Sequence, residues 1–359
     1  MSGKLEDKFI EEYCDGFRWI HTKPECMKRR STFTLLEYPE WKTRYKSCGD
    51  AAQSPIHVRY LDSQFRQFKP IYYTGFENLY GYFVENGAHG IYITLTAGTV
   101  SIYGGPLPVR YNLSRVILRF GRATGPGSEH RIDDEEFVAE MQLLFSSKKP
   151  TTTSCLYDNS GAAILAVLFR TPFLERSQRQ GELVSLFPAS VLKAEEPARA
   201  WGSQEVPGSV KGLEPLVQST RQLRGAWGAR VPVKMRLSAL MAPKAQHYYA
   251  YAGSLTFPPC TSSIPTMVMA KPATIGEDQI DALRRNMFVS LNYCVYHMAG
   301  QLRPTFDAQN RDLYRSFKYF SSRSGAGAPP TAVLLTLLLL GLTFRAAAPL
   351  TETWILCRD

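Results

Sequence analysis

A chain of 359 residues, 44% hydrophobic and 12% aromatic, has the material for a sizeable core. It is long for one domain, though sheet-based domains reach this length as single units. The formal net charge of +10 admits an anionic partner such as an acidic protein surface, a glycosaminoglycan or lipid headgroups, but Lys and Arg form no compact block, so the charge reads as a scattered basic surface, and no nucleic-acid partner is expected.

Residues 1–12 are charged and hold no apolar core of signal-peptide length. Taken alone this argues against secretion, and an incomplete N-terminus would remove the objection. Residues 1–46 read as a loose arm packed by its aromatics, among them Phe17, Trp19, Tyr38, Trp41 and Tyr45. Cys48-Gly49 follows, then Gln53-Ser54-Pro55-Ile56 and His57, which reads as a surface residue. From Tyr72 to Tyr103 the pattern alternates as antiparallel strands do. Ile91, Ile93 and Leu95 share one face, and Tyr92 and Thr94 the other. Asn86-Gly87 is a strong hairpin-turn dipeptide, followed by Ala88 and His89.

Two strand-like runs, Ser114 to Phe120 and Phe137 to Phe145, flank a Gly- and Pro-containing loop. Around them stand Gly104-Gly105-Pro106, Phe120-Gly121, Gly127-Ser128-Glu129-His130 and Ala139-Glu140-Met141-Gln142-Leu143. Gly161 to Arg170 is a continuous apolar run of strand length, suited to a central buried strand. At about 188–233 the chain is rich in Ala, Gly, Ser, Pro, Arg and Glu without clear periodicity, and it reads as a disordered surface insertion or a gene-model artefact, not a second domain.

Further on come Tyr251-Ala252-Gly253-Ser254-Leu255-Thr256-Phe257-Pro258-Pro259-Cys260 and Met269-Ala270-Lys271-Pro272. Between Glu277 and Met287, the apolar residues Ile280, Leu283 and Met287 fall at helical spacing. Arg303-Pro304 and Asn310-Arg311 close the patterned region. In the last segment, 321–359, small residues Ser324 to Gly327 precede an apolar run from Ala332 to Phe344. The run is shorter than the ~20 residues of a spanning helix. It resembles a GPI-attachment signal, from which Arg345 and the polar tail depart, and membrane attachment through this tail is expected. Seven cysteines are present without a C-x-x-C pair, so a zinc-ribbon or thioredoxin-type site has no support.

Together these motifs, from about Cys48 to Arg311, resemble the α-carbonic anhydrases. The resemblance implies a mainly β fold: a large, twisted, mostly antiparallel sheet with short peripheral helices, occupying residues 47–320. In that family the first strand of the hairpin carries two zinc histidines as H-x-H, and the second strand carries the third. The matching positions here are Ile117, Arg119 and Gln142. Residues at i and i+2 on a strand share a face, so Ile117 and Arg119 point where the metal would sit. Zn²⁺ takes imidazole, thiolate or carboxylate ligands. Isoleucine has no lone pair, arginine has no acceptor and stays protonated, and Gln142 offers a weak amide oxygen. No metal or other cofactor is expected.

Other positions follow the same logic. In active relatives the residue after Asn-Gly is a proton-shuttling histidine; here it is Ala88, and His89, one place later, turns to the opposite face. Glu129 and Thr256 stand where active relatives accept the proton of a zinc-bound hydroxide and orient it. Both are read as internal hydrogen-bonding groups. Arg119 is expected to pair with Glu129 or Glu140, or to turn to water, because a buried unpaired guanidinium is expensive.

Within the superfamily the pattern is most similar to the carbonic anhydrase-related proteins of the X and XI type, which also carry Gln at the third ligand position. They usually keep one histidine where this chain has Arg119. This resemblance implies a non-catalytic extracellular or cell-surface protein-interaction module, whose relatives associate with neurexins. The alternatives are a zinc-dependent carbonate dehydratase with unrecognised ligands and an acatalytic intracellular scaffold. The six histidines form no H-x-H or H-x-x-x-H pair that would favour the enzyme. Extracellular members of the family also imply a disulfide between Cys48 and Cys260. Asn112-Leu113-Ser114 is a glycosylation sequon, meaningful in a secreted chain.

Overall fold

The computed structural model describes residues 41–318, except 44, 88–89, 134, 136, 148–160, 173–209, 227, 243, 292–293 and 309–310. The arm as far as residue 40, Ala88, His89, Asn310, the first part of the expected insertion and the apolar tail lie outside the described residues.

Seventeen strands are described. The first six are β1 (His57–Val58), β2 (Gln64–Phe65), β3 (Ile71–Thr74), β4 (Tyr80–Gly87), β5 (Gly90–Leu95) and β6 (Ser101–Gly104). The central hairpin is β7 (Tyr111–Phe120) and β9 (Ala139–Ser146), with β8 (Arg131–Ile132) between them in sequence. Then come β10 (Ala162–Arg170), β11 (Arg230–Met235), β12 (Tyr248–Ser254), β13 (Ser262–Met269) and β14 (Ala273–Thr274). The last are β15 (Phe288–Leu291), β16 (Cys294–His297) and β17 (Tyr314–Arg315). Two α-helices lie wholly within the described residues, α1 (Glu214–Thr220) and α2 (Glu277–Asn286).

A 13-stranded sheet runs β11-β4-β5-β7-β9-β10-β13-β12-β17-β2, with β14 beside β10 and β3–β6 attached to β7. Most neighbours are antiparallel; β10–β13, β10–β14 and β17–β2 are parallel. The mainly β, mostly antiparallel architecture with short helices is the one that the motifs imply.

Strand periodicity sorts side chains to two sides of this sheet. On β5, Ile91 and Ile93 enter the large core while Tyr92 joins a smaller apolar cluster on the other side. On β7, Val116, Leu118 and Phe120 enter the large core, whereas Ile117 joins the smaller cluster. The run in β10 is buried along its length because both of its sides are covered.

α2 packs Ile280 and Leu283 into the large core, as its spacing predicts. Glu277 and Asp278 lie in its first turn and Arg284 and Arg285 in its last, each complementing the helix dipole.

Two expectations are corrected. Asn86 and Gly87 are the last residues of β4, paired with Ile91 and Gly90, so the chain reverses two residues later than a turn centred on them. The buried Asn86 side chain donates to the Phe288 carbonyl at 2.9 Å, which holds it in the ladder. Gly90 takes the positive φ, +138°, that the reversal needs.

The expected insertion at 188–233 is not disordered in its second part. From residue 210 the chain forms a 3₁₀ turn, α1 and most of β11, which pairs antiparallel with β4. Leu213, Leu216, Val217 and Leu223 are buried in the large core. Gln279 of α2 fixes the start of this segment, accepting from Val210 N at 2.9 Å and donating to Val210 O at 3.0 Å. Leu216→Ala is therefore expected to lower stability by about 2–5 kcal/mol in urea unfolding. A change within ~0.5 kcal/mol, as on an unpacked surface, would contradict this packing.

Candidate functional site

The side of the sheet opposite the large core carries the polar centre. β7 and β9 pair Ile117 with Gln142 and Arg119 with Glu140, so these four side chains share one face. Arg115, two residues before Ile117, lies on that face as well, and a register shift between Leu113 and Arg115 leaves Ser114 as the extra residue. The Arg115 guanidinium lies 4.6 Å from the centre of the Tyr92 ring.

Arg119 is 4% exposed, and its Nη1 lies 2.9 Å from Glu129 Oε2, a buried ion pair. The same nitrogen donates to Gln142 Oε1 at 3.3 Å. Gln142 Nε2 donates to Glu129 Oε2 at 2.9 Å and to Glu140 Oε1 at 2.8 Å. Thr256 Oγ1 donates to Gln142 Oε1 at 3.1 Å. One amide thus joins a cation, two carboxylates and a hydroxyl. A neutral imidazole, with one donor and one acceptor nitrogen, could not make all four bonds.

Each carboxylate has a second set of partners. Glu140 Oε2 accepts the backbone N–H groups of Glu129 and His130 at 2.8 and 2.7 Å. Its Oε1 meets His130 Nδ1 at 2.7 Å, and His130 Nε2 continues to the Tyr251 hydroxyl, also at 2.7 Å. Tyr251 bonds in turn to Ser54 Oγ at 2.7 Å. Glu129 Oε1 accepts from Arg303 N at 3.1 Å.

The Arg303 guanidinium donates to the carbonyls of Ser54, Leu255 and Cys48 and to Gln53 Oε1. Cys48 and Cys260 form a buried disulfide at the same place, and Gln53 Nε2 donates to the Cys260 carbonyl. Trp41, inside the expected arm, packs against the smaller apolar cluster.

Burial pushes the Glu129 carboxyl above the usual range, against the lowering pull of Arg119. For Glu140, burial also acts upward, but attraction to His130 and hydrogen bonds from His130 and Gln142 outweigh it and hold the group at about 2. Burial raises the Tyr251 phenol.

These residues do not fit a zinc ion. Ile117 is packed among Tyr92, Leu144 and Phe257 in the apolar cluster. Arg119 supplies a fixed positive charge, and the one acceptor atom of Gln142 already takes two hydrogen bonds. Among the described residues, no three His, Cys, Asp or Glu side chains gather that could hold a metal.

Of the residues singled out from sequence, Arg119, Glu129, Glu140, Gln142 and Thr256 come together, while Ile117 stays in the apolar cluster beside them. Ala88 lies outside the described residues, and Asn112 is exposed on β7. His57 is half-buried and bonds through Nε2 to the Asp133 carbonyl. The roles of Arg303, Tyr251 and His130 as anchors are not readable from their spacing, though each stands inside one of the quoted motifs.

Removing the cation from a buried pair leaves an uncompensated charge. Arg119→Met should therefore destabilise the protein by about 3–5 kcal/mol. Adding Glu129→Gln should recover much of that loss, which a double-mutant cycle measures. Glu140 sets an acid limb. Its folded pKa lies below 4.5, so its contribution is complete above that pH and is lost as pH falls toward about 2. Glu140→Gln should flatten the pH–stability curve over this window, as followed by thermal melts.

A family model described as eukaryotic-type carbonic anhydrase matches residues 36–195 and 204–317. Human mitochondrial carbonic anhydrase 5A is 26% identical over 306 residues, covering 84% of this chain and 87% of the relative. Human carbonic anhydrase 12 is 25% identical over 332 residues, covering 89% of this chain and 81% of the relative. Carbonic anhydrase 4 of Oryctolagus cuniculus is 23% identical over 293 residues, covering 80% and 82%. With its hairpin, its large sheet and a family match over most of its length, the chain belongs to the eukaryotic-type (α-) carbonic anhydrase family.

Proposed function

We propose that this member of the family is non-catalytic and acts as an extracellular or cell-surface protein-interaction module. The observation that carries the reading is the Arg119–Glu129 ion pair, 2.9 Å long, at a position that the family resemblance gives to a metal ligand. A divalent cation in the same space would meet a fixed like charge, a repulsion that low dielectric amplifies. Zinc catalysis of this kind depends on a metal that lowers the pKa of its bound water to ~7. Among the described residues, no donor set gathers that could hold such an ion.

The extracellular part of the proposal is supported by the Cys48–Cys260 disulfide, since structural disulfides persist in oxidising compartments. The sequon at Asn112 and the apolar tail agree with it. The partner is proposed to be a protein at the cell surface, of the neurexin kind by family resemblance, with membrane attachment through the tail and no role for nucleic acid.

The purified protein is expected to contain no stoichiometric zinc and to leave CO₂ hydration at the background rate. Bound zinc, with hydration abolished by a chelator, would overturn the proposal. The triple variant I117H/R119H/Q142H should gain zinc binding, measured by elemental analysis.

A further inference from the structure

The sequon at Asn112 lies beside an unusual surface feature. Asn112 is exposed on β7 and pairs across to Ser101 of β6. Tyr103 stands two residues from Ser101 on β6, and Arg110, just before β7 and two residues from Asn112, reaches Ser101 Oγ, so all four belong to one side of the sheet. The other side is core: Ile71, Ile102 and Tyr111 are buried there.

Arg110 lays its guanidinium over the Tyr103 ring at 3.9 Å. Its Nη1 donates to Ser101 Oγ at 3.0 Å and to Thr74 Oγ1 at 3.4 Å, which fixes the plane of the group. Tyr103 stacks on Tyr72, its cross-strand partner in β3, with ring centres 4.8 Å apart and planes at 15°. Tyr72 remains 49% exposed. The result is a ridge of one guanidinium and two tyrosine rings. Diagonal cross-strand neighbours such as Asn112 and Tyr103 stand about 7–8 Å apart.

We propose that Asn112 carries an N-linked glycan whose first N-acetylglucosamine rests on the Arg110–Tyr103–Tyr72 ridge. The guanidinium has N–H donors on Nε and Nη2 besides the bonds made by Nη1, and these suit the acetamide oxygen and hydroxyls of the sugar. The apolar face of a pyranose suits a tyrosine ring. Tethering supplies a high local concentration, so a weak contact is enough to be populated.

The attachment itself is a group transfer. A bond forms from the Asn112 side-chain nitrogen to C1 of the sugar, and the C1–O bond of a lipid-linked pyrophosphate oligosaccharide breaks. The lipid pyrophosphate leaves, the amide loses one proton, and nothing is oxidised or reduced. The proposal rests on the extracellular reading only in that this donor is met along a secretory route.

The test imposes secretion through an appended signal peptide in a glycosylating host, so its outcome is independent of where the native chain resides. Peptide mass mapping should find Asn112 occupied. Trimming the glycan to its first sugar should leave Tm unchanged, and complete enzymatic removal should lower it by about 2–4 °C. Asn112→Gln provides the sugar-free baseline. In Arg110→Ala and in Tyr103→Ser the fall on complete removal should disappear. An unoccupied Asn112 overturns the proposal. So does a fall in Tm that is the same in the ridge variants as in the parent.

Discussion

A guanidinium buried to 4% exposure is the constraint around which this site is arranged. Such a group cannot shed its charge, and leaving it unpaired in a dry interior costs several kcal/mol. Glu129 answers the charge, and Gln142 connects that pair to Glu140 and Thr256. Two carboxylates and one cation in a small volume leave one excess acid. His130 and two backbone N–H groups attend to it through Glu140. The network is satisfied only as a whole, because Gln142 Oε1, Glu129 Oε2 and both Glu140 oxygens each serve two partners.

That network reaches well beyond the central hairpin. Arg303 bonds to Glu129 through its backbone and, through its guanidinium, to the carbonyls of Ser54, Leu255 and Cys48. Residues distant in sequence thus close over the polar centre, and the Cys48–Cys260 disulfide holds the same two segments. A buried ion pair by itself is weak evidence for stability, since a well-packed apolar replacement often does as well. Here it belongs to a set of bonds that joins the loops carrying Glu129, Thr256 and Arg303.

The sheet separates two jobs. One side packs the large apolar core against α1 and α2, and the other holds the polar centre and the smaller apolar cluster. Toward the β3–β6 edge, the outer side becomes solvent-exposed and presents Tyr72, Tyr103 and Arg110.

Much of this was legible in the sequence. Alternation in β5 and β7 and the continuous run in β10 assign residues to faces, because a strand repeats every two residues whatever surrounds it. Side-chain chemistry alone rules out Ile117 and Arg119 as metal ligands. Tertiary structure decided the rest. Arg119 lies directly across the ladder from Glu140, yet its ion pair is with Glu129, because Glu140 is held by His130 and the loop N–H groups. That choice depends on Arg303, placed by a distant part of the chain. Residues 210–233 look like low complexity because composition averages over a window. Folding is decided instead by a few apolar side chains, Leu213, Leu216, Val217 and Leu223, that find a core built by other strands. Periodicity is local and is written in the sequence; partner choice among buried charges and the rescue of a weakly patterned segment are long-range, and exist only once the chain has closed on itself.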